Sequence, residues 1–549
     1  MSRNIVRAAL LASAAGAVVT LAACAGRGPA DVDGARIAAA DREPGNWMSY
    51  GRTYDEQRFS PLDKINADNV RDLGLAWYAD LDSARGQEAT PIVVDGRMYV
   101  STAWSMVKAY DAASGKLLWA YDPQVQRDVG VKACCDAVNR GVAVWRGKVY
   151  VGVLDGRLVA LDAATGKEAW SVVTVDQSKP YTVTGAPRIV KGMVIIGNGG
   201  AEFGVRGYVT AYDAATGKQV WRTYTIPGPN EPGGDSWKDG KERYKHGGGS
   251  VWETATYDPD TDTFYQGIGN AGPDWDPEYR PGDNKWAAGV LALSPSDGKI
   301  KWGYQYTPND PYDFDDIGEH PIINAKVNGE DRKLVLHASR NGFYYVLDRT
   351  NGSFVAGKQY VDQLNWTTGL DPKTGRPLNY NPNKDVQEYT AGSHSSRAKP
   401  TSDRLCPSHY GGKNWQPTAY NPEMNLLFIP SIEGCNTVET VEQKDFEDQG
   451  GPVKWRDRFT GGGGRPSERL YGSLKAVDPA TGETKARLKL EYPNYSGALA
   501  TAGNLVFIGQ YDGTISAHDA KTLQEVWSFN VGTGINAPPI TYSVNGKQY

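Results

Sequence analysis

A chain of 549 residues with 64 Gly, 31 Tyr and 16 Trp is rich in turn formers and aromatics, which suits a β architecture that uses the whole length in one repeat-built domain. A formal charge of −5 and the lack of any Lys/Arg run argue against nucleic acid as a partner.

At the N-terminus, Arg3 and Arg7 precede an apolar run from Ala8 to Leu21, too short to span a bilayer, so residues 1–23 read as an export signal. The run ends in Leu21-Ala22-Ala23-Cys24, which resembles a bacterial lipoprotein cleavage box and would leave a lipidated Cys24; ordinary cleavage nearby is the alternative. Residues 24–44 read as a linker and 45–549 as the folded domain. Export makes disulfides permissible. Beyond Cys24 the cysteines are Cys134, Cys135, Cys406 and Cys435. They can pair as 134–135 and 406–435, but counting alone leaves three connectivities open. Neighbouring Cα atoms lie about 3.8 Å apart, below the usual disulfide range. A Cys134–Cys135 bond would close a tight ring of the kind kept at functional sites; two unbonded thiols are the alternative.

From residue 109 onward one pattern recurs seven times: AYDAASGKLLW (109–119), ALDAATGKEAW (160–170), AYDAATGKQVW (211–221), ALSPSDGKIKW (292–302), VLDRTNGSFVA (346–356), AVDPATGETKA (476–486) and AHDAKTLQEVW (517–527). The starts are 51, 51, 81, 54, 130 and 41 residues apart, and the widest gap has room for a degenerate copy near Tyr420 to Ile432. Within a unit, alternating apolar segments meet at Asp-Gly turns, as in VYVGVLDGRLVAL (149–161) and LVFIGQYDGTISA (505–517), a strong hairpin signal. Units of this length with several short strands fit propeller blades. The expectation is an all-β, eight-bladed β-propeller whose repeated tryptophans pack between blades. Several of the Gly-, Pro-, Asp- and Tyr-rich insertions at 222–250, 270–287, 357–418 and 433–470 are expected to cover one mouth of the central channel.

The stretch NWMSYGRTYDEQRFSPLDKIN (46–66), followed in order by GQEATP, CCDAVNRG, TGAP, GNGGAEFGVRG, GGGSVWE, GIGNAGPDW, TPNDPYDFD, HASRNGFYYVLDR and NWQP, resembles the PQQ-dependent (quinoprotein) alcohol dehydrogenases, the methanol and ethanol dehydrogenase family. The likeness runs from Gly45 to Tyr549. It implies that a Cys134–Cys135 disulfide lies on one face of the quinone and Trp252 on the other. Glu88, Arg140, Thr184, Ser250 and Asn414 match positions that hydrogen-bond PQQ, with Gly200 and Ala201 in a loop that passes close to it. A guanidinium such as Arg140 suits bidentate pairing with a cofactor carboxylate.

By the same resemblance Glu202, Asn270 and Asp313 match calcium ligands, hard oxygen donors of the kind that cation takes. Asp315 is an addition. In an extended D-F-D segment, residues 313 and 315 share a face, and an acid at this place resembles the lanthanide-using branch. Three carboxylates with one amide would balance a trivalent ion better than Ca²⁺. The implied reaction is hydride transfer to the quinone, with the cation polarising the reacting carbonyl, Asp313 as general base and Arg340 stabilising developing negative charge. The product is an aldehyde or ketone, and the electrons pass to a periplasmic cytochrome c. The exported protein is expected in the periplasm, tethered to a membrane if Cys24 is lipidated. His246, His320, His337, His394, His409 and His518 show no ligand spacing and C-x-x-C-H is absent, so neither zinc nor haem is expected in this segment. A Cys406–Cys435 bond would fix the loop bearing Asn414.

Two departures stand out. Tyr495 replaces the Trp usual before the LATAG segment and is expected to reshape the cofactor or substrate pocket; Tyr312 replaces the Trp usual beside the base, and a pocket for alcohols larger than methanol is expected there. The chain also stops at NGKQY, where the family continues with a strand and Gly-rich turn, so an incomplete last blade is expected. A rival reading is a non-catalytic lipoprotein propeller, a scaffold of outer-membrane protein assembly. Such a scaffold has no use for CCDAVNRG, the D-F-D acids or Arg340.

Overall fold

The computed structural model describes residues 27–238, 240–445 and 458–549; the leader 1–23 and Cys24 lie outside the described residues. Among the described residues the architecture is an all-β propeller of seven blades, six of four strands and one of five, at residues 92–121, 143–173, 188–224, 256–305, 322–359, 419–490 and 498–530. The extra strand of the last blade, Phe59–Ser60, runs parallel to Ala498–Thr501. Among the described residues no helix is long and apolar enough to cross a membrane.

Seven blades correct the expected eight, and the reason lies in one insertion. Ala419–Asn421 and Leu426–Glu433, within the supposed degenerate copy, are the inner strands of the blade whose outer strands are Tyr471–Val477 and Thr484–Leu490. The insertion 433–470, with its own hairpin of Asn436–Thr440 and Gly462–Pro466, splits that blade in sequence so that it reads as two. Between the seventh blade and the first there is no four-stranded sheet among the described residues. There Trp527 donates to the carbonyl of Leu73 (3.1 Å) and Trp77 to that of Ala112 (3.1 Å), while Ser543 N donates to Gly45 O. The stretch 24–44, expected as a linker, is packed over its described part. Ala30 and Val32 accept hydrogen bonds from Gly147 and Arg146 of the second blade, and Arg36 pairs with Glu43 and Asp95.

The repeat explains the joints. In ALDAATGKEAW the Asp162 carboxylate accepts the N–H and hydroxyl of Thr165, closing the turn, and Gly166 takes φ +71°. A side chain at Gly166 would collide with the ring of Trp119 from the preceding blade. The Trp119 indole N–H in turn reaches the Ala163 carbonyl (3.1 Å). Trp170 and Trp221 repeat the contact on Ala214 and Pro295. Each joint buries an aromatic face and adds a hydrogen bond worth roughly 1 kcal/mol net. The repeated tryptophans therefore pack between blades, as expected.

Two kinds of connection share one end of the propeller: those leading from one blade into the innermost strand of the next, and those joining the second and third strands of a blade. All four long insertions are of these two kinds. Cys406 and Cys435 are bonded and staple the insertion 357–418 to the start of 433–470. Replacing both by Ser is expected to cost about 3–4 kcal/mol from the 29-residue spacing. The drop in thermal midpoint, matched by adding reductant to the native chain, checks this.

Candidate functional site

The same two kinds of connection carry nearly every residue singled out from the sequence. Glu88, Arg140, Thr184, Trp252, Asp313, Asp315 and Asn414 each stand shortly before the innermost strand of a blade, while Gly200, Ala201, Glu202, Asn270 and Arg340 sit between second and third strands. They converge on a cavity of about 300 Å³. Its lining includes all of these except Ala201 and Asn270, together with Cys134, Cys135 and Ser250. Ala201 lies directly behind it, its N–H donating to Ser250 Oγ (3.1 Å).

Cys134 and Cys135 are bonded to each other. Arg458 donates to the Cys134 carbonyl (3.2 Å). The buried Arg140 guanidinium is held on three sides, by Glu88 Oε2 (2.8 Å), Glu253 Oε1 (2.9 Å) and Thr184 Oγ1 (2.8 Å). It lies 4.5 Å from the Trp252 ring centre and 5.6 Å from that of Trp415. Burial pushes the Glu253 carboxyl up to about 8, against the pull of Arg140. Asn414 is fixed by its amide, which donates to the Tyr410 carbonyl (3.1 Å).

Asp313 has φ +59°, a left-handed conformation uncommon for a residue with a side chain. The loop is held there by Asp310, whose two carboxylate oxygens accept the N–H groups of Tyr312 (3.0 Å) and Phe314 (2.7 Å). Asp315 accepts from Asn270 N (3.0 Å) and from the Trp252 indole (3.0 Å), so the acid, the stacking residue and the Asn270 loop are locked together. Arg340 reaches both acids, 3.3 Å from Asp315 and 3.8 Å from Asp313. The carboxyls of Glu202, Asp313 and Asp315 are all pushed up, first by burial; Asp315 and Glu202 add repulsion at Asp313, as does Asp315 at Glu202. Among the described residues no three acidic, His or Cys side chains close into a finished coordination shell. The donor chemistry nevertheless fits a hard cation: carboxylate oxygens on one cavity, in excess over the guanidinium between them.

Several side chains at the site had no sequence signal beyond their neighbours. Glu253 follows Trp252 directly and braces Arg140. Asp316 is buried and accepts from Ser339 Oγ (2.5 Å) and Arg340 N (3.3 Å), with the His337 ring 3.1 Å away. Asp274 binds the Asn270 amide (2.7 Å). Of the two aromatic departures, Tyr495 lines the cavity, stacked on Trp415 and edge-on to Tyr511. Tyr312 does not line it; it is fully buried with its hydroxyl on Ser393 (2.9 Å), so it does not shape the pocket directly.

Residues 47–360 and 467–549 match the family described as the PQQ glucose/ethanol/alcohol dehydrogenase β-propeller domain. The quinohemoprotein alcohol dehydrogenase ADH-IIG of Pseudomonas putida is 45% identical over 543 residues, covering 95% of this chain and 74% of that protein. The crystal structure of a quinohemoprotein alcohol dehydrogenase from Comamonas testosteroni superposes with a TM-score of 0.87 at 43% identity, over 94% of this chain and 78% of that one. A europium-containing methanol dehydrogenase superposes with a TM-score of 0.86 at 34% identity, over 94% and 90%.

Proposed function

Because this chain belongs to the PQQ-dependent alcohol dehydrogenase family and is an alcohol-oxidising quinoprotein enzyme, we propose that the cavity around Asp313 and Arg340 is its active site. When bound there, PQQ supplies the hydride acceptor and the cation polarises its reacting carbonyl. Trp252 offers one flat face and the Cys134–Cys135 disulfide the other. Arg140, braced by Glu88, Thr184 and Glu253, is a fixed guanidinium for a cofactor carboxylate. Ser250, Asn414 and Gly200 complete the pocket, with Ala201 behind Ser250, and Glu202, Asn270, Asp313 and Asp315 would hold the metal.

Asp313 removes the proton of the alcohol hydroxyl as general base. Arg340, its guanidinium already between Asp313 and Asp315, donates hydrogen bonds where negative charge develops. Asp315 supports a trivalent ion over Ca²⁺, in keeping with the europium-containing relative. The wall of Trp415, Tyr495, Tyr511 and Val138 favours alcohols larger than methanol. The electrons pass to a periplasmic cytochrome c. Export through the leader at 1–23, with lipidation of Cys24, is supported by the apolar run and by two disulfides.

The observation that carries this reading is the convergence of Asp313, Asp315, Arg340, Trp252 and Cys134–Cys135 on one cavity. Its test is dye-linked oxidation of primary and secondary alcohols by purified protein given PQQ with calcium or PQQ with lanthanum. Activity is expected with lanthanum, and kcat/KM is expected to be lower for methanol than for longer alcohols. Activity with calcium alone would remove Asp315 from the ligand set. No activity with either ion would reject the site.

A further inference from the structure

Arg140 is crowded with anions. Its guanidinium pairs with Glu88 (2.8 Å) and Glu253 (2.9 Å), so two carboxyls share one positive charge before any cofactor arrives. A cofactor carboxylate laid against the same fork would place three acids around one cation. Buried like charges this close do not all stay ionised. One of the two glutamic acids then holds a proton.

The geometry singles out Glu253. Glu88 lines the cavity, where water reaches it, while Glu253 stands outside the lining with its side chain 3% exposed, against 12% for Glu88. Glu253 Oε2 accepts the N–H of Thr254 (3.2 Å). Its Oε1 receives no aligned hydrogen bond among the described residues, although Arg140 Nε is near. A buried carboxylate so short of donors is costly to ionise. The other ionisable groups facing it are Glu88, Glu319, Tyr50 and Arg58. Glu319 is itself paired with Lys413 (2.9 Å), and Arg58 spends its guanidinium on the carbonyls of Tyr50 and Pro539 (2.9 Å each). Burial pushes the Tyr50 hydroxyl well above its ordinary range, so it stays neutral. Burial, with repulsion from Glu88 and Glu319, outweighs Arg140 and holds the Glu253 carboxyl up at about 8.

Resting on the reading of the cavity as the PQQ site, we propose that Glu253 is a proton-linked positioning residue for the cofactor: it holds a proton taken from solvent whenever a PQQ carboxylate pairs with Arg140, and so leaves the guanidinium's charge to the cofactor. Below about pH 8 Glu253 already carries that proton, and PQQ enters with no change at this residue. Above it, each PQQ bound draws one proton from solvent, and affinity falls about tenfold per pH unit. A Glu253 that only propped Arg140 in place would give no such dependence.

Calorimetric titration of the purified chain with PQQ, in buffers of different ionisation enthalpy, counts the protons taken up. The metal ion that supports binding is kept in constant excess, and quenching of tryptophan fluorescence gives the affinity. At about pH 9 the native chain is expected to take up close to one proton more per PQQ than Glu253→Gln, and at about pH 6.5 the same number. Native affinity is expected to fall about tenfold between these two pH values by a loss that Glu253→Gln does not show. Glu253→Ala serves as the second carboxyl-free variant, with the same differences expected, and circular dichroism confirms that each variant is folded. Glu88→Gln is expected to keep the extra proton. Uptake that survives in both Glu253 variants, or disappears in Glu88→Gln, overturns the role of Glu253 and leaves the cavity standing as the PQQ site. A native chain that binds no PQQ with calcium or lanthanum overturns the cavity reading and this inference with it.

Discussion

Asp313→Asn lowers alcohol oxidation by about 10²–10⁴-fold at saturating PQQ and metal, the range expected when a general base is removed. Asn has nearly the same shape and cannot take a proton. The substitution should leave the loop in place, because its conformation is set by Asp310 on the N–H groups of Tyr312 and Phe314, and by Arg280 on the Asp310 carbonyl. Cofactor binding, followed by the absorbance of bound quinone, should therefore survive while turnover falls. A loss of less than tenfold, with quinone bound, would assign the base to another group. The nearby acids are themselves buried and pushed up, so the pH profile of the native enzyme bears on the same question.

Arg340→Lys is the second large effect, about 10²–10³-fold in kcat, the range found on removal of one charge-stabilising donor. The guanidinium spans two carboxylates, 3.3 Å from Asp315 and 3.8 Å from Asp313, and a single ammonium cannot hold that fork. A milder variant makes the same point from the backbone side. Gly411 takes φ +85°, and a Cβ there would overlap Arg340 Cγ. Gly411→Ala is expected to lower kcat by about tenfold or more through displacement of Arg340, with KM for the alcohol less affected. Equal kcat in the Ala variant would show that Arg340 tolerates movement and is not held for catalysis.

Much of this molecule is legible in one dimension. The turn Asp-x-x-Thr-Gly-Lys and its Trp announce blades because, at the joints made by Trp119, Trp170 and Trp221, the turn of one blade receives the indole of the blade before it. The site residues are legible through family resemblance, and the structure collects them because their connections open at one end of the propeller. The blade count is not legible where the insertion 433–470 separates strands that pair in space, since pairing across such a distance has no local signal. Tyr312 departs from its expected place for a similar reason: resemblance puts it beside the base, but Trp366 and Tyr389, which receive its ring together with Phe314, come from a remote segment. Glu253 and Asp274 fall inside the stretches GGGSVWE and GIGNAGPDW, but their partners, like those of Asp316, have no local signal, because an acid reads as a surface residue until its partner is known.

The mouth draws on all seven blades and on the junctions between them. A piece holding the first four blades would carry the cysteine pair, Arg140 and Trp252, yet lack Asp313 and Arg340; the remaining piece would own the base with nothing to clamp a cofactor beside it. Turnover is therefore a gauge of the closed circle as a whole. A nick or slipped joint on the far side of the ring would surface first as lost chemistry, before any strand comes undone.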